Sequence, residues 1–138
     1  MSRFVLDASV TAAWCFADET TAYSETVLEM LAAGEALAPA TWPLEVANVL
    51  VMAERRKRIT LAKTTSFLQL LAGLAVSLDA AGAAQTFDNV LSLAREQGLS
   101  TYDAAYLELA IRKGLPLATL DTDLKKAARA VGVRIAGV

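Results

Sequence analysis

Short apolar runs, each followed by a stretch of helical periodicity, recur from one end of the chain to the other, and this alternation restricts the fold more than any single residue does. Phe4-Val5-Leu6 ends in Asp7-Ala8-Ser9, so a buried strand passes straight into a helix start. Val27, Leu28, Met30 and Leu31 mark the apolar side of a helix beginning near Tyr23 and stopped by Gly34, and residues 35–39 read as a second short strand. Thr41-Trp42-Pro43 opens the next helix, proline being favoured in a first turn, and that helix runs to the basic stretch Arg55-Arg56-Lys57-Arg58. Helices follow over 61–71, 84–97 and 101–113, with a strand possible over 75–78. After the stop at Gly114-Leu115-Pro116 come a strand over 117–120, a helix over 122–131 and a last strand over 133–135. Strands this short and apolar, alternating with helices, predict a three-layer α/β/α architecture with a central, mostly parallel sheet of four or five strands.

The 138 residues suit one domain, 1–138, and neither an internal repeat nor a linker interrupts them. Hydrophobic residues at 55 % against 20 % charged argue for a packed core and against disorder. The longest uncharged stretch, 64–78, is too short and too polar to span a bilayer, and Asp7 cuts the first apolar run before it could serve as a secretory signal, so no membrane association and a cytoplasmic location are expected. Cys15 is the only cysteine and is expected to be a small buried apolar side chain. The chain has no histidine, which removes the commonest general base, the Ser-His-Asp triad and histidine zinc sites together. Acid–base or metal chemistry must therefore rest on carboxylates.

Four acids stand where a plain surface charge is not expected. Asp7 and Asp121 each follow an apolar strand, and Glu45 and Asp103 each lie in the first turn of a helix. In an open parallel sheet the carboxyl ends of strands and the starts of the following helices share one edge, so all four can meet in one cleft. Hard cations such as Mg²⁺ take oxygen ligands, keep some water and bind through a few carboxylates plus substrate phosphate. A cation held there would suit phosphodiester hydrolysis without histidine, while the helix N-termini favour anions at the same edge. Taken singly, each acid has another explanation: Asp7 and Asp121 as N-caps, Asp103 within a capping box that starts at Ser100, Glu45 as a partner of the helix dipole.

The segments Val5-Leu6-Asp7-Ala8-Ser9, Pro43-Leu44-Glu45-Val46-Ala47-Asn48-Val49-Leu50, Thr101-Tyr102-Asp103-Ala104-Ala105-Tyr106 and Leu117-Ala118-Thr119-Leu120-Asp121-Thr122-Asp123-Leu124 resemble, in order, the four acidic motifs of the PIN-domain family. The likeness extends over essentially the whole chain, and the compact size resembles the VapC toxins of bacterial toxin–antitoxin pairs. The resemblance implies a Mg²⁺- or Mn²⁺-dependent endoribonuclease, usually dimeric, restrained by a cognate VapB-like antitoxin. It implies Asp7, Glu45, Asp103 and Asp121 as direct or water-mediated metal ligands, with Ser9, Asn48, Thr119 and Asp123 as secondary candidates.

Arg55, Arg56, Lys57 and Arg58 could track an RNA backbone, although basic residues closing a helix also complement its dipole. Trp14, Phe16 and Trp42 could stack bases or receive a partner, but aromatics in so apolar a chain are expected in the core. Two further readings are a receiver-like regulatory domain without catalysis, and a PIN nuclease acting in RNA maturation or on DNA.

Overall fold

The computed structural model describes residues 2–138. Strand β1 (Arg3–Leu6) pairs in parallel with β2 (Glu35–Pro39), which carries β3 (Val76–Asp79) on its far side, while β4 (Leu117–Ala118) lies against the other edge of β1. The order is β3-β2-β1-β4, all parallel. Phe4, Val5 and Leu6 are all 0 % exposed. Successive strand residues point to opposite faces, so both faces of the sheet centre must be covered. Helix α1 (Ala8–Cys15) packs on α2 (Ala22–Ala32) and α3 (Trp42–Arg55), and α2 also lies on β2. Helix α6 (Thr101–Lys113) lies on β1, β2 and β4, flanked by α5 (Leu91–Gln97) and α7 (Thr122–Ala130); α4 (Leu61–Ala72) links α3 to β3.

The apolar stripe of α6, with Ala104, Tyr106, Leu107, Leu109 and Ala110 essentially inaccessible, makes this helix the central beam of its layer. Each fully buried large apolar side chain contributes roughly 1.5–3 kcal/mol. Gly98 and Gly114 take positive φ just past α5 and α6, the left-handed conformation that ends a helix cheaply only at glycine. Gly34 matters for a different reason, because a Cβ there would stand 2.1 Å from the Ser2 carbonyl oxygen, and glycine lets the start of β2 close on β1.

The expected architecture is the one observed, with four strands, but several boundaries move. The helix start after Asp7 is an eight-residue helix of its own; Thr20 donates to the terminal carbonyls of Ala13 and Phe16, and Thr21 and Ser24 cap α2 reciprocally. The continuous helix expected over 84–97 is replaced by a 3-10 turn (Gly82–Gln85) and a π turn (Thr86–Val90) before α5. Only Val90 of those two turns is buried, packing with Ala94 and Ala104, so no apolar stripe holds the segment in α register. The ladder of β4 stops at Ala118 instead of 120, because the Leu120 and Asp121 N–H groups turn to the Ser9 and Thr119 hydroxyls. The expected last strand is reduced to a single parallel bridge from Ile135 to Leu117 between the positive-φ glycines Gly132 and Gly137. Among the described residues no helix is long and apolar enough to cross a membrane.

Candidate active site

The chain steps outward from β1 to β2 to β3, then returns to place β4 on the opposite side of β1. A crevice therefore opens outside the carboxyl ends of β1 and β4, where ligands of such sheets are usually found. Asp7 follows β1 directly; Thr119 and Asp121 follow β4; Glu45 and Asp103 enter from the first turns of α3 and α6.

Asp7 is 4 % exposed and its carboxylate makes no capping hydrogen bond to α1, so the capping explanation does not account for it. Ser9 Oγ and Thr119 Oγ1 each donate to Asp7 Oδ2 at 2.7 Å. Both hydroxyls accept in turn from the backbone after β4, Ser9 from Leu120 N–H and Thr119 from Asp121 N–H, each at 3.0 Å. Their protons are thus directed at Asp7. Burial pushes the Asp7 carboxyl above its ordinary range, the two hydroxyls pull it back, and the nearby charge of Asp121 raises it further.

Tyr106, fully buried on α6, donates its hydroxyl to Glu45 Oε1 at 3.0 Å, and Thr41 approaches the same oxygen at 3.4 Å. Glu45 is raised by burial, opposed by the Tyr106 hydroxyl, and raised again by repulsion from Asp7 and Asp103. Asp103 is raised by burial first and then by the charges of Asp121 and Asp7, with Asp123 a minor contributor. The capping box expected at Ser100 is half formed: the Asp103 N–H donates to Ser100 Oγ at 3.1 Å without the reciprocal bond. Asp121 does cap α7, its Oδ1 accepting from Leu124 N–H at 3.0 Å. For that residue the capping explanation holds, alongside its place at the crevice.

Four acids thus share one electrostatic neighbourhood, and no cationic side chain is among the influences on Asp7, Glu45 or Asp103. They do not close into a cage: among the described residues no three such side chains stand at metal-ligating spacing. Open spacing, oxygen-only donors and uncompensated repulsion fit a hard cation that keeps part of its water shell. Cys15, the chain's one thiol, is buried beside Phe16 and Arg58 in another region of the molecule.

Of the secondary candidates, Ser9 and Thr119 join the centre through Asp7, Asn48 is exposed on α3 beside the same surface hollow as Glu45, and Asp123 is exposed. The basic stretch lies at the far end of α3, ten residues and about 15 Å along the helix from Glu45. Arg58 there pairs with Asp18 and Glu19 at 3.2 Å and stacks on Phe16 at 4.4 Å. The aromatics take core positions: Trp42 donates to Thr11 Oγ1 at 3.1 Å, Trp14 to the Ser24 carbonyl at 2.7 Å, and Phe16 is 5 % exposed. Sequence reasoning missed the role of Tyr106, although it sits inside the third acidic motif, and missed the ion-pair cluster of Asp79, Glu108 and Arg112 entirely.

An α/β fold with an acidic switch point defines a class, and likeness to known proteins narrows it. The family model described as the PIN domain matches residues 4–130. The crystal structure of PAE2754 from Pyrobaculum aerophilum is similar, with a TM-score of 0.67 at 26 % identity over 91 % of this chain and 86 % of that one. No curated protein matches the chain. The chain belongs to the PIN-domain family, whose members are generally nucleases and typically use divalent metals. That membership speaks against the receiver-like alternative, as does the occurrence of Thr119 and Asp121, rather than a lysine, after β4.

Proposed function

We propose that the protein is a metal-dependent endoribonuclease, the toxin of a VapBC-type toxin–antitoxin pair. The observation that carries this reading is the meeting of Asp7, Glu45, Asp103 and Asp121 at one edge of the sheet, where burial first and mutual repulsion second raise the carboxyls of Asp7, Glu45 and Asp103. These four residues would hold Mg²⁺ or Mn²⁺, directly or through water. A cation held by them would supply a water of lowered pKa as nucleophile and charge stabilisation for the leaving oxygen. Ser9 and Thr119 fix the Asp7 carboxylate, and Tyr106 fixes Glu45 from beneath. The N-termini of α6 and α7 face the same edge and favour a phosphate oxygen.

An antitoxin partner is supported by the surface next to the acids. Leu44, 74 % exposed, and Tyr102, 61 % exposed, border an apolar hollow that also includes Glu45 and Asn48. A polypeptide tail with apolar side chains and one basic side chain would fill the hollow and neutralise the acids together. A homodimer is supported by Leu61 and Leu68, exposed seven residues apart on one face of α4.

The test is cleavage of a defined RNA set by the purified protein with Mg²⁺, with Mn²⁺ and with chelator, beside a matched DNA set. Metal-dependent RNA cleavage supports the reading; cleavage of DNA alone would move the assignment to a DNA-acting PIN nuclease. A synthetic tail of the neighbouring antitoxin, if one is encoded, is expected to suppress the reaction, and sedimentation reports the dimer.

A further inference from the structure

We propose that a cavity of about 330 Å³ at the same sheet edge seats one base of the RNA chain, guanine in preference and uracil least. This rests on the nuclease reading above. The cavity is bounded by the ends of β2 and β3, the irregular turns at 82–90 and the first turns of α6. It lies next to the acids: Thr41 lines it and approaches Glu45 Oε1 at 3.4 Å, and Tyr102 lines it one residue before Asp103. A strand whose scissile phosphate rests on the acids would therefore bring a neighbouring base to its mouth.

Its size falls at the lower end of small-molecule sites, roughly 300–1,000 Å³, and is ample for one base. Val90 and Ala105 give apolar wall, and the half-exposed Tyr102 ring gives a stacking surface, the means by which single-stranded bases are usually held. The polar lining is Thr41, Thr86 and Thr101 with two carboxylates, Asp79 and Glu108.

Those carboxylates decide the preference. Arg112 binds both, Glu108 through Nε at 2.9 Å and Asp79 through Nη1 at 3.2 Å, yet Arg112 does not line the cavity. Two anions share one cation, and carboxylate oxygens accept without donating. A base offering adjacent N–H donors suits such a wall. Guanine does so with its ring N–H and amino group; cytosine offers one amino group; uracil brings a single N–H between two carbonyls. A Cβ at Gly82 would come within 2.7 Å of Asp79 Oδ2, so a side chain there would shift that carboxylate.

The test uses neutral nucleosides, which carry no phosphate and so separate the cavity from the acids. In an ¹⁵N NMR titration of the full chain without metal, guanosine is expected to shift the amides of Ala83, Thr86 and Tyr102 and to bind about tenfold more tightly than uridine. Ala83→Leu, which fills the cavity from an exposed position and spares the ion pairs, is expected to abolish those shifts. Sequencing of cut ends is expected to find guanine at one fixed position beside the cut, a bias that Ala83→Leu loses. Guanosine seated by a protein that cleaves no RNA would leave the cavity standing and remove the nuclease reading. Cleavage without base bias, together with unmoved cavity amides or equal binding of uridine, would overturn the cavity proposal and leave the nuclease reading intact.

Discussion

At Asp7 two hydroxyls converge on one oxygen of a buried carboxylate that caps nothing, whereas Asp121 spends one oxygen on the start of α7. Raised acids give the site a stability cost with a definite sign. A carboxyl whose folded pKa lies above its ordinary value stabilises the fold below that ordinary value and loses the contribution as pH rises through the folded one. The metal-free protein should therefore lose part of its stability as Asp7, Glu45 and Asp103 ionise. Asp103→Asn removes one of these charges and should stabilise the metal-free protein by about 0.5–2 kcal/mol while abolishing cleavage, the usual trade between activity and stability. Thermal melts in chelator check this; an unchanged or lower melting temperature would argue that the acids do not repel. Tyr106→Phe deletes the donor to Glu45 and should cost about 10–100-fold in metal affinity or activity, read by titrating Mn²⁺ against cleavage rate. Tyr106 was visible in the sequence as part of a motif, but a bond across 61 positions leaves no local signal of its role.

Within α6, the faces divide the labour: Asp103 serves the acidic crevice, Tyr106 braces Glu45, and Glu108 with Arg112 ties the helix to Asp79 at the end of β3. The side chains of Asp79 and Glu108 are 6 % and 5 % exposed, so removing their shared cation strands two buried charges. Arg112→Ala should destabilise by roughly 3–5 kcal/mol in urea denaturation. Arg112 also holds the Asp79 carboxyl below its ordinary range, chiefly through its hydrogen bonds. Its contribution is therefore full above the ordinary carboxylate pKa and lost as pH falls through the lowered folded value. Acid unfolding of Asp79→Asn should lack that part of the wild-type slope; an identical acid limb would contradict the pairing. The regular elements were legible because apolar periodicity marks them, α6 to the residue. The turns at 82–90 were not, since their alanines and glutamine suit a helix locally, and only the lack of buried partners decides against it.

Across the whole molecule, the strand order could not be read from the sequence, yet the crevice depends on it: β4 returning beside β1 is what joins Asp7 to Thr119 across 112 positions and brings Asp121 with it. What the sequence did carry was the set of candidates, since a chain without histidine and with acids at strand ends and helix starts leaves carboxylates as the groups for acid–base or metal chemistry. With a net charge of −2, binding to RNA must depend on the local site rather than on overall attraction. The central claim is met most directly by single-turnover RNA cleavage with wild type, Asp7→Asn and Asp103→Asn in Mg²⁺, Mn²⁺ and chelator. Cleavage by wild type with metal only, and its loss in both variants while the fold persists, is the predicted result; undiminished cleavage by the variants or in chelator would contradict it.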